Sequence, residues 1–410
     1  MISRRGFLAS TTLLALPSAR GRTMTRLAAE AELDRFIRAK MQRDHIPGVA
    51  ACLCSREGIR WVGTYGWADI ERRVPMTIDS LQNICSISKT VTTTALMQLR
   101  DAGRFKLDDD VGDYLPFPVR NPRHPGAKIS FRHLLTHRSS IRDGIAYARH
   151  YVCGDPRLAL GDWIRGYLEK GGAYYDADEN FHPWAPENGW DYCNIAYGLL
   201  AYLVETMAGA PFPVYCRERI FAPLTMPETS WYLRDIDASR HVVPYTYVSQ
   251  GVARGPSWGG VPLGVIRAPG SASELKPGFN ANCLYNHPNF PDGFLRTSVN
   301  QLSRYVRAYL NGGALGPARI LRQATVGEML TQEFLAGKSK RVQGLTWYAS
   351  TKVRDQADWG HGGSDPGINT DMRLLPSEGI GAIAFMNTNG VGPDEITVRI
   401  LSLAPALIPA

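Results

Sequence analysis

The chain has 410 residues, 44% hydrophobic and 20% charged, with a formal net charge of +8. That composition is ordinary for a globular protein and long enough for one large domain or two lobes with a substantial core. Basic residues are scattered rather than clustered, and no zinc-finger or RNA-binding signature occurs, which sets nucleic acid aside as a partner.

The chain opens Ser3-Arg4-Arg5-Gly6-Phe7-Leu8, followed by a short apolar run ending near Ala19. A basic start, an apolar stretch and a small-residue exit are the marks of a signal peptide, and the paired arginines look like a twin-arginine export signal over residues 1–25. The apolar run is far shorter than the ~20 residues of a membrane span. These features predict a folded protein exported to a bacterial periplasm or beyond, without a stable membrane anchor. Seven cysteines stand at irregular spacing. They do not read as a disulfide framework, and without a CxxC they do not suggest zinc. Cys52 and Cys54 alternate along a strand and should share a buried face.

Taken in order, Leu27 to Met41 has helical spacing. Val49 to Cys54 reads as a buried strand, and Ile59 to Tyr65 returns beside it across the turn at Gly58. Trp67 to Thr77 reads as a polar loop. Cys85-Ser86-Ile87-Ser88-Lys89-Thr90 then opens a helix that Gly103 stops. Leu107 to Pro116 is a helical turn, and Ser130 suits the cap of a helix over His133, Leu134 and Leu135. From about 140 to 290 the chain is rich in Gly, Pro and aromatics, with helices over Asn194–Met207 and, shorter, Val214–Phe221. Gly171 to Trp190 is a long aromatic loop of the kind that is usually functional. Val299 to Leu310 is amphipathic. Strands follow over Gly344–Ser350, Thr370–Leu375 and Gly379–Met386, and a helix over Glu395–Leu403 closes the chain. The pattern predicts an α/β (α+β) fold: an antiparallel sheet built from both termini (26–80 and 290–410) and flanked by helices, with a mostly helical lobe (81–289) inserted.

Ser86 and Lys89 form an S-x-x-K. Residues three apart share a helix face, so the hydroxyl stands beside the amine, with the Ser86 N–H near the positive end of the helix. Ser88 points elsewhere. Two more segments carry chemistry: Tyr192-Cys193-Asn194, a Y-x-N just before a helix, and His361-Gly362-Gly363-Ser364, an H-x-G before the last two strands. The three, in this order, resemble the active-site motifs of the serine β-lactamase and penicillin-binding-protein hydrolases, nearest the class C β-lactamase, esterase and D-Ala-D-Ala carboxypeptidase branch. The stretch around His133 and His137 resembles that family's "HLLTHTSG" segment, with Ser140 in place of its usual glycine. The run from Tyr192 through Pro223-Leu224-Thr225-Met226 resembles its "YSN-GY-LL… PLGM-T" segment.

The resemblance implies roles. Ser86 is the nucleophile that forms an acyl-enzyme, and Lys89 takes its proton or supplies positive charge. Tyr192 pairs with Lys89 as base and then donates to the leaving group, its ordinary pKa near 10 lowered by the ammonium. Asn194 orients Lys89. His361 and Gly363 line the cleft, where glycine lets substrate approach the backbone, and the N–H groups of Ser86 and Ser364 form the oxyanion hole. His361 stands where β-lactamases usually carry lysine, which argues against strong β-lactam turnover. The expected activity is serine hydrolysis of a small ester, amide or peptide with no cofactor and no metal. The alternatives are a D-Ala-D-Ala carboxypeptidase, a D-aminopeptidase, a β-lactamase or a non-catalytic penicillin-binding-like sensor. Nothing in the sequence sets the oligomeric state. The aromatic loop, Trp231 and Trp258 suggest a bulky or apolar acyl group.

Three features are set apart from the site. Gly255-Pro256-Ser257-Trp258-Gly259 matches G-x-S-x-G but lacks the strand–turn–helix that a nucleophile elbow needs. His133 and His137, four apart, read as a packed or hydrogen-bonded pair rather than metal ligands. Asp108-Asp109-Asp110 lacks the rest of a calcium loop and reads as a solvated helix start.

Overall fold

The computed structural model describes residues 24–258, 260–271, 274–336 and 341–408, so most of the export segment lies outside the described residues. The helices that position the site are α1 (Arg26–Asp44), α2 (Ser88–Asp101), α3 (Phe131–Leu135), α4 (Leu160–Leu168), α5 (Ile195–Ala208), α6 (Val299–Leu310) and α7 (Asp394–Leu407). The strands are β1 (Gly48–Ser55), β2 (Ile59–Asp69), β3 (Val74–Pro75), β4 (Phe334–Ala336), β5 (Arg341–Gln343), β6 (Tyr348–Val353), β7 (Gln356–Asp365), β8 (Ile368–Leu375) and β9 (Ile380–Met386). They form one nine-stranded antiparallel sheet in the order β4-β5-β6-β7-β8-β9-β1-β2-β3. The first strand of the chain therefore sits inside the sheet, between β2 and the last strand made.

β1 is buried on both faces, which is why its sequence is apolar without interruption. Val49, Ala51 and Leu53 pack under α1 and α7. Ala50, Cys52 and Cys54 face the opposite layer, which holds α2, α5 and α6. The shared face expected for the two cysteines is thus observed, and both thiols are free and buried. Pairing of Val49 with Met386 and of Ser55 with Ile380 joins the two ends of the chain.

Several expectations are corrected. The stretch from Trp67 to Thr77 is not all loop. β2 continues to Asp69 and bends back into β3, with Trp67 opposite Pro75. The strand expected from Gly344 begins at Tyr348, and the strand before it ends at Gln343. Phe212–Cys216 is an α-helical turn that widens into a π-turn over Arg217–Phe221. Five cysteines are free, but Cys153 and Cys283 form a disulfide across 130 residues. No local spacing signals a bridge that long. The three aspartates do form a solvent-facing helix start, as expected, and each also has a partner. Asp108 pairs with Arg132, Asp109 accepts from the Tyr114 hydroxyl, and Asp110 caps the next turn and pairs with Arg120.

Candidate active site

The turn before α2 is set by its own backbone. Cys85 holds φ at +49°, the left-handed region that side chains rarely adopt, and the Asn83 side chain accepts its N–H at 2.9 Å. A 3-10 turn over Cys85–Ile87 then leads into α2, so Ser86 lies just before the helix rather than at its start. Ser86 reaches the surface while every other residue of Cys85–Thr90 is buried. The Ser88 hydroxyl is sequestered, accepting the Leu295 N–H at 3.1 Å.

Lys89 is fully buried. Its Nζ donates to Ser86 Oγ at 3.1 Å, Asn194 Oδ1 at 2.7 Å and the Asp292 carbonyl at 2.8 Å, and lies 3.6 Å from the Asp292 carboxylate. Loss of water pulls the ammonium pKa below its ordinary 10.5, while Asp292, Asp143 and Asp365 oppose that pull. Burial is the larger of the two effects, and it also raises Asp292, whose pKa is pushed up to about 6.

Tyr192 contacts the same hydroxyl, and Ser86 is its hydrogen-bonding neighbour. Its phenol is raised well above 10, because burial dominates and Asp292 and Asp143 add to it. This corrects the expectation that the ammonium would lower it. Lys89 Nζ lies 4.9 Å from the ring centroid, against the π-face of the ring. Ser86 Oγ stands between an amine made easier to deprotonate and a phenol held neutral.

The remaining site residues come from three elements. Asn194 leads into α5, buried, with Oδ1 on Lys89. β7 runs past the Ser86 turn and presents His361, Gly363 and Ser364 to the same cleft of about 1550 Å3. The His361 Nδ1–H donates to the Gly362 carbonyl at 2.6 Å, and the ring packs against Tyr348. Gly363 has a different reason from the one its sequence suggests. A Cβ there would stand 2.6 Å from Cys85 Cβ and 2.7 Å from the Ile84 carbonyl, so the glycine lets β7 close on the Ser86 turn. Thr370 Oγ1 of β8 donates to that same carbonyl at 2.8 Å.

Residues that the sequence reading passed over complete the frame. Asp143 accepts the backbone N–H of Asn194 (2.8 Å) and Ile195 (3.0 Å) and the Asn194 Nδ2 (2.8 Å). Asp292 is held by the Tyr147 hydroxyl at 2.9 Å and Asn289 Nδ2 at 3.0 Å. Asp365 accepts from the Tyr151 hydroxyl at 2.8 Å, and burial raises its pKa to about 8. His137 Nδ1 accepts the Cys193 N–H at 3.1 Å and its ring lies 4.4 Å from that of Tyr192, while His133 Nδ1 completes the capping box of α3 with Ser130. Both histidines are therefore engaged in local structure.

Trp190, Tyr192, Trp258, Tyr348 and Trp359 wall the cleft. Trp190 is fixed by donation to Gln343 Oε1 at 2.9 Å. Trp231, expected near the substrate, is instead fully buried against Phe212 and Phe290. Ser257 sits exposed in a short surface hairpin with no following helix, which excludes a nucleophile elbow.

Residues 33–404 match the family model for Beta-lactamase. The chain belongs to the beta-lactamase family. It is similar to "Beta-lactamase-like protein 2" of Dictyostelium discoideum, 26% identical over 367 residues, covering 86% of this chain and 58% of that one. It also resembles "Protein flp" of Staphylococcus aureus (strain N315), 21% identical over 366 residues, covering 88% of this chain and 64% of that one. The chain thus spans about three fifths of the length of these curated relatives. Among solved structures, the D-amino acid amidase from Ochrobactrum anthropi SV3 complexed with D-phenylalanine superposes with a TM-score of 0.71 at 19% identity, over 92% of this chain and 99% of that one. The octameric penicillin-binding protein homologue from Pyrococcus abyssi gives 0.68 at 22%, over 92% and 77%. Ser140, where the sequence resemblance leads one to expect glycine, holds φ at +63°, the left-handed region that favours glycine.

Proposed function

We propose that this protein is a serine hydrolase that cleaves esters or small amides through an acyl-enzyme on Ser86. The observation that carries this reading is the 3.1 Å contact between Ser86 Oγ and a desolvated Lys89, at the foot of an open cleft. Ser86 Oγ attacks the substrate carbonyl and its proton passes to the neutral Lys89 amine. As the bond from carbonyl carbon to leaving group breaks, the Tyr192 phenol protonates the departing oxygen or nitrogen. The Lys89 ammonium then gives up the proton it took from Ser86 to the Tyr192 oxygen, which restores both groups for the second half of the reaction. Water then attacks the acyl carbon, giving up its proton to the same pair, and Ser86 is released with its hydrogen. Backbone N–H groups at Ser86 and Ser364 hold the oxyanion.

Two observations support a neutral, aromatic or apolar acyl group. The cleft wall is aromatic. Among the described residues that line it, Lys352 is held by Asp394 at 2.6 Å and Arg373 by Asp358 and Asp371. Both cations are thus already balanced by carboxylates of the protein itself. The same wall supports a second reading, hydrolysis of an aromatic D-amino acid amide, as the name of the Ochrobactrum enzyme suggests. Ser86→Ala should abolish turnover of p-nitrophenyl butyrate and labelling by a fluorophosphonate. Retained labelling at another serine would sink the assignment, and a panel of D-phenylalanine amide, muropeptide and nitrocefin separates the readings.

We also propose that the protein works outside the cytoplasm. The twin-arginine segment supports this, and so does the Cys153–Cys283 disulfide, since cytosolic thiols are normally kept reduced. Cell fractionation with N-terminal sequencing should find a shortened chain in the periplasm or medium. A full-length cytoplasmic chain would contradict the proposal.

A further inference from the structure

Asn194 faces two partners of opposite demand. Its Oδ1 accepts from Lys89 at 2.7 Å and its Nδ2 donates to Asp143 at 2.8 Å. A carboxamide can satisfy this pair in one orientation only, because an ammonium can only donate and an ionised carboxylate can only accept. Turned over, Asn194 would set its NH2 against the Lys89 ammonium and its oxygen against the carboxylate. Asp143 is buried and anchored from several sides. Both its oxygens receive the Asn194 backbone N–H, and Oδ1 also receives the Ile195 N–H.

We propose that Asp143 is a positioning residue that sets the orientation of the Asn194 carboxamide and, through it, holds Lys89 against Ser86. The inference rests on the hydrolase reading above. Asp143 touches neither Ser86 nor the cleft; its influence runs through Asn194. Its charge also polarises the amide, strengthening Oδ1 as the acceptor that Lys89 needs. A plain helix-capping role would explain the two backbone bonds but would not depend on which way the side-chain amide faces.

An exchange of the two side chains separates these roles. In D143N the new carbonyl oxygen keeps the backbone N–H groups while its NH2 confronts Asn194 Nδ2. Asn194 should turn over and Lys89 lose an acceptor. In D143N/N194D a carboxylate at position 194 accepts both from Lys89 and from the carboxamide now at position 143, and the chain of bonds is restored. Turnover of p-nitrophenyl butyrate should fall about 10- to 100-fold in kcat for D143N, the size of a lost bond to a charged group, with KM little changed. The double variant should recover about tenfold or more over D143N. Crystal structures should show the reversed amide in D143N and Lys89 drawn off Ser86. A D143N enzyme within about twofold of the natural one, or a double variant no better than D143N, overturns the proposal. If D143N does not fold, the double variant decides alone: folded and active supports the proposal, whereas folded but inactive, or also unfolded, overturns it. The amide orientation is read without turnover. An inactive natural protein whose D143N form still shows the reversed amide would remove the hydrolase reading and leave the Asp143–Asn194–Lys89 linkage standing.

Discussion

Lys89 is pulled two ways. Burial favours its neutral amine, and the carboxylate of Asp292, 3.6 Å away, favours the ammonium. The acid limb of kcat/KM should therefore lie below the ordinary lysine value of 10.5, where the amine becomes free to take the Ser86 proton. Asp292→Asn removes an opposing carboxylate, so the Lys89 pKa should fall further and the limb move to lower pH. A pH–rate profile checks this, and a limb that stays put or moves up would contradict it. Ser86 beside Lys89 was legible in the sequence because a three-residue spacing on a helical turn fixes local geometry, whereas Asn194 was reached only through the family resemblance. Asp143 and Asp292 were not legible, since their roles depend on loops brought in from far along the chain. The Tyr192 phenol shows the limit from the other side. Its neighbour could be read, but its desolvation depends on the packed site, and desolvation decides the sign of the shift.

β7 owes its position to the absence of one side chain. Gly363→Ala would drive a Cβ into Cys85 and the Ile84 carbonyl, both parts of the nucleophile turn. The expected cost is about 1–3 kcal/mol of stability, with a disproportionate loss of kcat as the turn shifts. Gly362→Ala is the control. A Cβ there meets nothing nearer than Asp371 Oδ1 at 3.5 Å, so stability and activity should change little. Thermal melts and esterase assays of the two variants side by side test the contrast; equal effects would mean that β7 does not brace the turn. The H-x-G pattern was visible in the sequence, but its reason was not, because a close approach between residues 85 and 363 leaves no periodic trace. Helices with a strong cap or amphipathic face were read almost to the residue, as with α3 behind Ser130 and α6 behind Ser298. Short edge strands such as β3 and β4, with little alternation to show, were not.

At the scale of the molecule, the disulfide and the sheet both join distant parts of the chain. Cys153–Cys283 closes a loop of 130 residues, for which chain entropy suggests about 4–5 kcal/mol. A Cys153→Ser/Cys283→Ser variant should melt well below the parent, and reduction of the parent should reproduce the shift; an unchanged melting temperature would assign the bridge no role in stability. The antiparallel sheet was legible as a class because strand patterns appear near both ends. Its order was not, since β1 finds its neighbour β9 more than three hundred residues later. The Ile84 carbonyl has the same dependence, taking its bond from Thr370 across 286 residues. That bond carries a consequence for timing. Ser86 and Lys89 are synthesised early, but the strands that brace their turn emerge almost last. A ribosome-bound chain therefore carries Ser86 and Lys89 long before their turn is braced, and on the proposed reading reactivity should arrive only when the C-terminal strands have been added.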